Sequence, residues 1–235
     1  AGACAGLKCP ASEAWLAEAR TRRDAFRNKC IQSATRATDR MHACDVLSAI
    51  REVLTDDTLV MVDGGNIGQW FHQVMLDRYP GHWVGCGASG VVGWGIPGAM
   101  AARALYPDRP VILLSGDGSF TFTVAELECA ARQGLPFVAV VGNDAAWNAE
   151  YQLQLREFGE DRVSETELLA TRYDRVAESL GGHGEHVTSA KELRPAIERA
   201  IASGRPACVN VALARIPAPR VRRRSTGVGR GSAAR

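Results

Sequence analysis

The sequence predicts an α/β fold in which a doubly wound, mostly parallel sheet carries helices on both faces. Short apolar runs, such as 58–63 (TLVMVD) and 111–115 (VILLS), alternate along the chain with segments of helical periodicity. This alternation implies right-handed crossovers between parallel strands, with helices packed on the two faces of the sheet. Ligands of such sheets bind beyond the carboxyl ends of the strands, so the informative residues should follow the strands directly.

Each element is predicted from its own pattern. Helical spacing of apolar residues predicts helices over 12–28, 44–54, 67–76, 93–105, 123–132, 168–180 and 189–202. The last helix begins with Ser189 and Glu192 at the spacing of a capping box. Apolar runs predict strands over 58–63, 83–84, 111–115, 137–141 and 208–213. His183 and His186 fall in a predicted polar loop that leads into a strand.

The chain divides into three predicted parts. Residues 1–41 form an N-terminal extension with a linker helix and a polar stretch over 32–40, and residues 42–215 form the compact domain. Residues 216–235 carry a basic run beside Gly and Ser, which is typical of a disordered tail. The 235 residues are enough for one well-buried domain with extensions.

Composition indicates an ordinary soluble protein of the cytoplasm. The apolar fraction is 46%, the charged fraction 23% and the net charge +2, which gives no indication of a nucleic-acid partner. No apolar run approaches the roughly 20 residues that a membrane-spanning helix needs. The seven cysteines form no CxxC pair, and such a scattered set predicts reduced thiols rather than a disulfide framework.

Polar residues follow three predicted strands, in the segments 63–66 (DGGN), 116–119 (GDGS) and 142–144 (GND). Asp117 is expected at the tip of its strand, where Gly116 and Gly118 allow a sharp turn with free backbone N–H groups. Asp144 is expected at the tip of the next strand, one helix and one strand later. Two carboxylates beside free N–H groups could hold a hard divalent cation against a diphosphate. Each aspartate could also be a turn residue without a ligand.

A competing pattern lies in residues 93–98 (GWGIPG), which match GxGxxG, with Asp117 at about the distance expected for a ribose-binding acid. This pattern favours a nicotinamide-binding oxidoreductase domain. However, the fingerprint requires a preceding strand, and residues 85–90 read as a loop. The acid also lies inside a Gly-Asp-Gly-Ser turn instead of ending an ordinary strand. The dinucleotide interpretation is therefore kept as the alternative.

The segment from Gly116-Asp117-Gly118-Ser119 to Asn143-Asp144 resembles the thiamine diphosphate (thiamine pyrophosphate) motif, a GDG opening with an Asn-Asn close. Residues 87–102 (GASGVVGWGIPGAMAA) resemble the stretch that holds the pyrimidine ring of this cofactor in acetolactate synthase-like enzymes. The resemblance covers residues 42–213. It implies the thiamine diphosphate-binding fold of the C-terminal, diphosphate-binding domain of those enzymes.

The resemblance also implies a role for each matching residue. Asp117 and Asp144 would bind Mg²⁺ through their side chains, and Ala146 through its carbonyl. The residues expected at the diphosphate are Gly65, Asn66, Gly116, Gly118 and Ser119. Gly90 and Val92 would meet the aminopyrimidine through the backbone, with Val92 as the apolar wedge that bends the cofactor. Val92 could equally be a core residue.

Two departures from the family pattern concern the site. Asp144 stands where the family usually has Asn, as also occurs in relatives of 2-hydroxyacyl-CoA lyases. Residues 145–158 are interpreted as a loop lining the substrate pocket, although its residues could equally be surface residues at the start of a helix. Its candidate residues, which lack the Gln-Trp pairing associated with authentic acetolactate synthase, are Trp147, Tyr151, Gln152 and Gln154.

The resemblance further implies a lyase or carboligase that acts on a 2-oxo acid or 2-hydroxyacyl substrate. The glutamate that activates the cofactor is expected on a separate pyrimidine-binding domain or subunit, which the chain does not contain. The chain therefore resembles the last third of a longer enzyme, or one subunit of a split one, within a homo-oligomer. A non-catalytic fragment remains the third interpretation.

Overall fold

The computed structural model describes residues 13–34, 40–75 and 82–219. Their centre is a sheet of six parallel strands in the order β2-β1-β3-β4-β6-β5. The strands are β1 (Leu59–Asp63), β2 (Trp83–Gly85), β3 (Val111–Gly116), β4 (Val138–Asn143), β5 (His183–Val187) and β6 (Ala207–Ala212). The predicted α/β class with a parallel sheet is confirmed.

Helices α1 and α2 precede the first strand, and helices α3 to α9 lie between strands in the chain order. Their bounds are α1 (Glu13–Ala34), α2 (Ala43–Val53), α3 (Gly65–Val74), α4 (Gly95–Leu105), α5 (Asp117–Thr121), α6 (Glu126–Arg132), α7 (Asn148–Phe158), α8 (Tyr173–Ser179) and α9 (Ala190–Ala202). None of the helices in the described residues is long and apolar enough to cross a membrane.

The alternation of side chains along each strand separates the core into two layers. Val60 and Val62 of β1 point to the face covered by α2, α3 and α9, whereas Met61 points to the face covered by α4, α6 and α8. The strands β3 and β4 are buried along their whole length. This two-sided burial explains why their sequences are continuous apolar runs, and it makes the sheet doubly wound as predicted.

Helix α1 extends beyond its predicted end at residue 28 and enters the polar stretch 32–40 that was read as a linker. Cys30 on this helix is buried in the core layer beside α2 and α3, and Arg27 donates hydrogen bonds to the Val74 carbonyl at the end of α3. Tertiary packing therefore continues the helix past the point where the sequence pattern weakens. The remainder of that stretch, residues 35–39, and the basic tail from residue 220 lie outside the described residues.

The other differences from the sequence predictions occur in the part of the chain that follows β4. Residues 145–158 contain helix α7, and the loop predicted there is wrong. Helix α8 begins at Tyr173 and not at residue 168, because Leu168 and the Thr171 carbonyl are bonded to the turn after β4 and to β6. His183 and His186 lie in strand β5 itself. Ser189 occupies the N-cap position of α9, but its side chain makes no capping hydrogen bond, so the predicted capping box does not form.

Candidate functional site

A cleft opens at the carboxyl edge of the sheet, where β1, β3 and β4 end side by side. The space in the cleft that protein atoms do not fill is about 500 Å³, and part of this space is open to solvent. Nine of the predicted site residues line it, namely Gly65, Asn66, Val92, Gly116, Asp117, Gly118, Ser119, Asp144 and Ala146. Gly90 is the one predicted residue outside this lining, in an exposed loop after a short 3₁₀ turn. The fold thus gathers residues from four separate chain segments.

The two aspartates lie at the tips of neighbouring strands. Gly116 of β3 pairs in register with Gly142 of β4, and Asp117 and Asp144 follow shortly after these glycines. Both side chains are buried. Burial, and then the charge of Asp144, raises the pKa of Asp117 to about 7. Burial also raises the pKa of Asp144 to about 6, against the hydrogen bond from Asn148 and the charge of Arg215.

One buried carboxylate oxygen of the two aspartates has no hydrogen-bond partner among the described residues. Asp144 Oδ2 accepts a hydrogen bond of 2.7 Å from Asn148 Nδ2. Asp117 Oδ2 is fully buried and has no hydrogen-bond partner among the described residues. The Ala146 N–H lowers the pKa of both carboxyl groups, which places both of them near this N–H. A buried carboxylate oxygen without a partner is costly, and a cation would satisfy it.

Glycines form the floor of the cleft because neighbouring groups leave no room for a side chain. A Cβ at Gly118 would lie 2.7 Å from the ring of Trp147, and a Cβ at Gly65 would lie 3.2 Å from the Gly116 Cα. Gly65 also has a φ of 74°, which side-chain-bearing residues rarely adopt. These contacts let backbone N–H groups approach a ligand closely, as diphosphate binding requires.

The first residues of α7 cover one side of the cleft. Trp147, Asn148 and Glu150 line it. The other candidates from the predicted loop 145–158 do not. Tyr151 packs against the Arg215 guanidinium, and Gln154 accepts a hydrogen bond from the Ser164 N–H. Sequence reasoning did not single out Asn148, because it treated this segment as a loop and considered a helix start only as the alternative. No helical spacing links Asp144 to Asn148, because α7 begins only at Asn148 and the turn before it brings the two side chains together.

Asn66 has a structural role that the sequence did not indicate. Its side-chain amide donates to the Ile216 carbonyl at 2.6 Å, and its carbonyl oxygen accepts from the Ala218 N–H at 2.8 Å. The side chain thereby fastens residues 216–218 across the edge of the sheet. These two bonds use one amide hydrogen and one acceptor site of the Asn66 side chain, which fixes its orientation.

The GxGxxG segment is already occupied by a protein carboxylate. Asp63, buried at the end of β1, accepts hydrogen bonds from the N–H groups of Gly93 at 3.3 Å and Gly95 at 3.0 Å. Between β2 and this segment lies a 3₁₀ turn, so the glycines do not follow a strand directly. A dinucleotide pyrophosphate would have to displace Asp63, and the geometry therefore does not support the nicotinamide alternative.

Comparison with known families agrees with this geometry. The family described as thiamine pyrophosphate enzyme, C-terminal TPP binding domain, matches residues 63–211, from the last residue of β1 almost to the end of β6. The chain belongs to this family. The resemblance noted in the sequence is thereby confirmed.

Curated relatives of this thiamine pyrophosphate-binding chain are enzymes. It is 39% identical over 202 residues to a probable acetolactate synthase of Mycobacterium bovis, covering 85% of this chain and 36% of that protein. It is 34% identical over 164 residues to 2-hydroxyacyl-CoA lyase 2 of Caenorhabditis elegans, covering 69% of this chain and 25% of that protein. The chain thus spans about a third or less of the length of these relatives.

A solved structure shares the fold. The thiamine diphosphate-dependent 4-hydroxybenzoylformate decarboxylase of Rhodococcus jostii superposes with a TM-score of 0.70 at 24% sequence identity. The match covers 77% of this chain and 34% of the decarboxylase chain. At this level of identity the likeness supports the fold, and the site must be argued from the residues of this chain.

Proposed function

We propose that the cleft binds the diphosphate of thiamine pyrophosphate through a divalent cation, Mg²⁺, held by the side chains of Asp117 and Asp144 and by the Ala146 carbonyl. The observation that carries this proposal is the buried Asp117 Oδ2, which has no partner among the described residues and lies beside a second buried carboxylate. Oxygen ligands of this kind suit Mg²⁺.

The donor set fits a cation that is shared with a ligand. No group of three His, Cys, Asp or Glu side chains in the described residues could hold a metal ion by itself. Two carboxylates and one carbonyl leave coordination positions for diphosphate and water oxygens, which is how Mg²⁺ is usually bound. The cation would also neutralise the mutual repulsion that raises the pKa of Asp117.

The remaining contacts follow the shape of the cleft. Gly65, Gly116, Gly118 and Ser119 offer backbone N–H groups to the diphosphate, together with the backbone of Asn66. Val92 lines the cleft as a partly exposed apolar side chain, and Gly90 precedes it in the exposed loop. We assign both to the pyrimidine side of the cofactor, with Val92 as the wedge that shapes its bound conformation.

The whole protein is proposed to be a lyase or carboligase that acts on 2-oxo acid or 2-hydroxyacyl substrates. Two of its relatives are named acetolactate synthase and 2-hydroxyacyl-CoA lyase. Thiamine pyrophosphate, when bound, supplies the electron sink for making or breaking a C–C bond beside a carbonyl. This chain positions the cofactor. A pyrimidine-binding domain or subunit, in a homo-oligomer, supplies the activating glutamate. The buried thiols of Cys44 and Cys208, which form no disulfide among the described residues, fit a reducing compartment such as the cytoplasm.

The metal-binding role is tested by Asp117→Ala. We expect this variant to lose Mg²⁺-dependent binding of thiamine pyrophosphate, measured by titration calorimetry, while its circular dichroism stays that of the wild type. The matched control is Asp108→Ala, an exposed aspartate in the turn before β3 at the opposite end of the sheet. Unchanged cofactor affinity in Asp117→Ala would overturn the site assignment.

The non-catalytic alternative is tested by turnover. The purified chain is incubated with thiamine pyrophosphate, Mg²⁺ and pyruvate or a 2-hydroxyacyl-CoA, first by itself and then with a pyrimidine-binding domain from a relative. Turnover only in the mixture would support the proposed division of labour. Absence of turnover in both, with the cofactor bound, would favour a non-catalytic binding domain.

A further inference from the structure

Residues at the start of α8 contact the supports of both carboxylate-bearing turns. We propose that Tyr173 and Asp174 are positioning residues that hold Asp117 and Asp144 at the separation needed to share one cation. The inference rests on the proposed function of the cleft. Both residues are buried, and neither lines the cleft.

Tyr173 supports the Asp117 side. Its hydroxyl lies 2.7 Å from Thr121 Oγ1, and the Thr121 hydroxyl donates to the Asp117 carbonyl at 3.0 Å. A threonine hydroxyl has one hydrogen to donate, so the Tyr173 hydroxyl must be the donor to Thr121. The Tyr173 ring also packs edge-on against Phe120, with ring centroids 5.6 Å apart. Tyr173 thus contacts the last two residues of the short helix α5, and through the Thr121 hydroxyl it is linked to the carbonyl of Asp117, the first residue of that helix.

Asp174 supports the Asp144 side through two buried amides. Asp174 Oδ1 accepts from Asn210 Nδ2 at 3.1 Å, and Asn210 Oδ1 accepts from Asn143 Nδ2 at 3.1 Å. Asn143 Oδ1 in turn accepts from the Ala145 N–H at 3.2 Å. The second hydrogen of each amide goes to the Thr171 carbonyl. With every amide hydrogen used, the orientation of both side chains is fixed.

The end point of this chain of bonds is a strained turn. Ala145 has a φ of 54°, a left-handed conformation that alanine rarely adopts. It is held there by Asn143 from one side and by Arg215, which donates to the Ala145 carbonyl at 3.0 Å, from the other. The turn sets where the Asp144 carboxylate and the Ala146 carbonyl point. Strain of this kind persists only where surrounding contacts enforce it.

Asp174 is suited to anchor the network because it is charged. Burial opposes its ionisation, but hydrogen bonds from Arg172 and Asn210 outweigh burial and hold the pKa of Asp174 below its ordinary value. The Arg172 guanidinium contacts Asp174 Oδ2 at 2.6 Å. Adjacent residues of one helix therefore determine the placement of two turns from different strands. Outer contacts of this kind orient metal ligands in other proteins.

The experiment compares Tyr173→Phe and Asp174→Asn with two controls. Thr58→Val removes a buried hydroxyl that lies 2.9 Å from the Thr55 hydroxyl at the start of β1, at the other end of the sheet. Glu185→Gln breaks a carboxylate–arginine pair with Arg199 on the edge strand β5. Binding of Mn²⁺ in the presence of thiamine pyrophosphate is followed by electron paramagnetic resonance at a temperature where all variants are folded.

We expect Mn²⁺ affinity to fall on the order of 10-fold in the two α8 variants and to stay within about 2-fold of the wild type in the controls. A merely structural role would lower the unfolding midpoint in all four variants without separating their affinities, and that result would overturn the inference. Amide hydrogen exchange over residues 143–146 and 117–121 gives a readout without cofactor, and it should accelerate only in the α8 variants.

The two proposals fail in different ways. A wild-type chain that binds no Mn²⁺ with thiamine pyrophosphate would overturn the proposed function. Unchanged exchange over both turns in Tyr173→Phe and Asp174→Asn would overturn the positioning role, even if the wild type binds Mn²⁺ normally. A third outcome is faster exchange in these variants together with no Mn²⁺ binding by the wild type. It would show that Tyr173 and Asp174 stabilise the two turns, and it would overturn the claim that they do so to position metal ligands.

Discussion

Two carboxyl groups define this site at the scale of single residues. Asp117 and Asp144 are buried within reach of one backbone N–H, and Asn148 satisfies one oxygen of the pair. The usual asparagine at position 144 would carry no charge. The aspartate found here adds a second negative charge, which raises the electrostatic repulsion within the pair at neutral pH and gives a bound cation a larger electrostatic stabilisation.

The repulsion and burial of these two carboxyl groups should make the free energy of unfolding of the metal-free chain depend on pH. Because burial raises the pKa of Asp117 to about 7, the folded chain without metal retains a proton that the unfolded chain loses near pH 4. This contribution to stability is fully present below pH ~4 and is lost as the pH rises towards 7. In EDTA at pH 8, we expect Asp117→Asn to be more stable than the wild type by ~1–3 kcal/mol. Urea unfolding at pH 4 and pH 8 measures the difference.

The control for this experiment is Asp108→Asn, which changes an exposed aspartate and should leave the pH profile unaltered. The gap between Asp117→Asn and the wild type should also narrow as the pH is lowered to 4. A wild type that is the more stable protein at pH 8 without metal would contradict the proposed state of the pair.

At the scale of elements, local pattern predicted the strands better than the ends of the helices. The buried strands β3 and β4 match their predicted positions to within two residues, because two-sided burial demands continuous apolar runs. Helix α7 was missed, since its aromatic and amide residues have little amphipathic pattern. Helix α1 outlasts its pattern because its last turns pack on α2 and α3.

Arg27 tests whether α1 belongs to the compact structure. Its guanidinium donates two hydrogen bonds, of 3.0 and 2.8 Å, to the Val74 carbonyl, where a positive charge also favours the C-terminus of α3. We expect Arg27→Ala to lower the free energy of unfolding by ~1–2 kcal/mol. Arg23→Ala, on an exposed face of the same helix, should change it little. Equal stability of both variants would favour a compact domain that begins at residue 42.

At the scale of the whole molecule, strand order creates the site. The order β2-β1-β3-β4-β6-β5 places the carboxyl ends of β1, β3 and β4 next to each other, so that Gly64 and Gly65 after β1 lie against Ser119 and Gly116 at the end of β3. The family match, over residues 63 to 211, begins at the last residue of β1 and includes the turns that follow β1, β3 and β4. This unit is therefore a thiamine pyrophosphate-binding domain. The activity of the whole protein stays a proposal, in which a partner domain completes the active site.

Binding of thiamine pyrophosphate with Mg²⁺ should raise the thermal unfolding temperature of the chain. A ligand at about 100 times its Kd stabilises the folded state by ~2.7 kcal/mol, which corresponds to a Tm increase of roughly 5–10 °C for a chain of this size. We expect this increase with thiamine pyrophosphate and Mg²⁺ together, measured by differential scanning calorimetry. EDTA should remove it, and thiamine monophosphate should not reproduce it. An equal increase with NADH would revive the dinucleotide alternative.

The sequence by itself determined the fold class, and it predicted the chemistry of the site. Continuous apolar runs could only be buried parallel strands, and Gly-Asp-Gly after one run with Asn-Asp after the next indicated a diphosphate held through a cation. These features are local, because the period of a strand and the conformational freedom of glycine are properties of a few consecutive residues.

Only the tertiary structure decided which of these residues are available to a ligand. Asp63 occupies the glycine N–H groups of the GxGxxG segment, residues 216–218 engage the side chain of Asn66, and Asn148 engages one oxygen of Asp144. It also brought Tyr173 and Asp174 behind both turns. Such pairings join residues that are far apart in the sequence, and crossover geometry and packing set them, so that no local pattern could have revealed them.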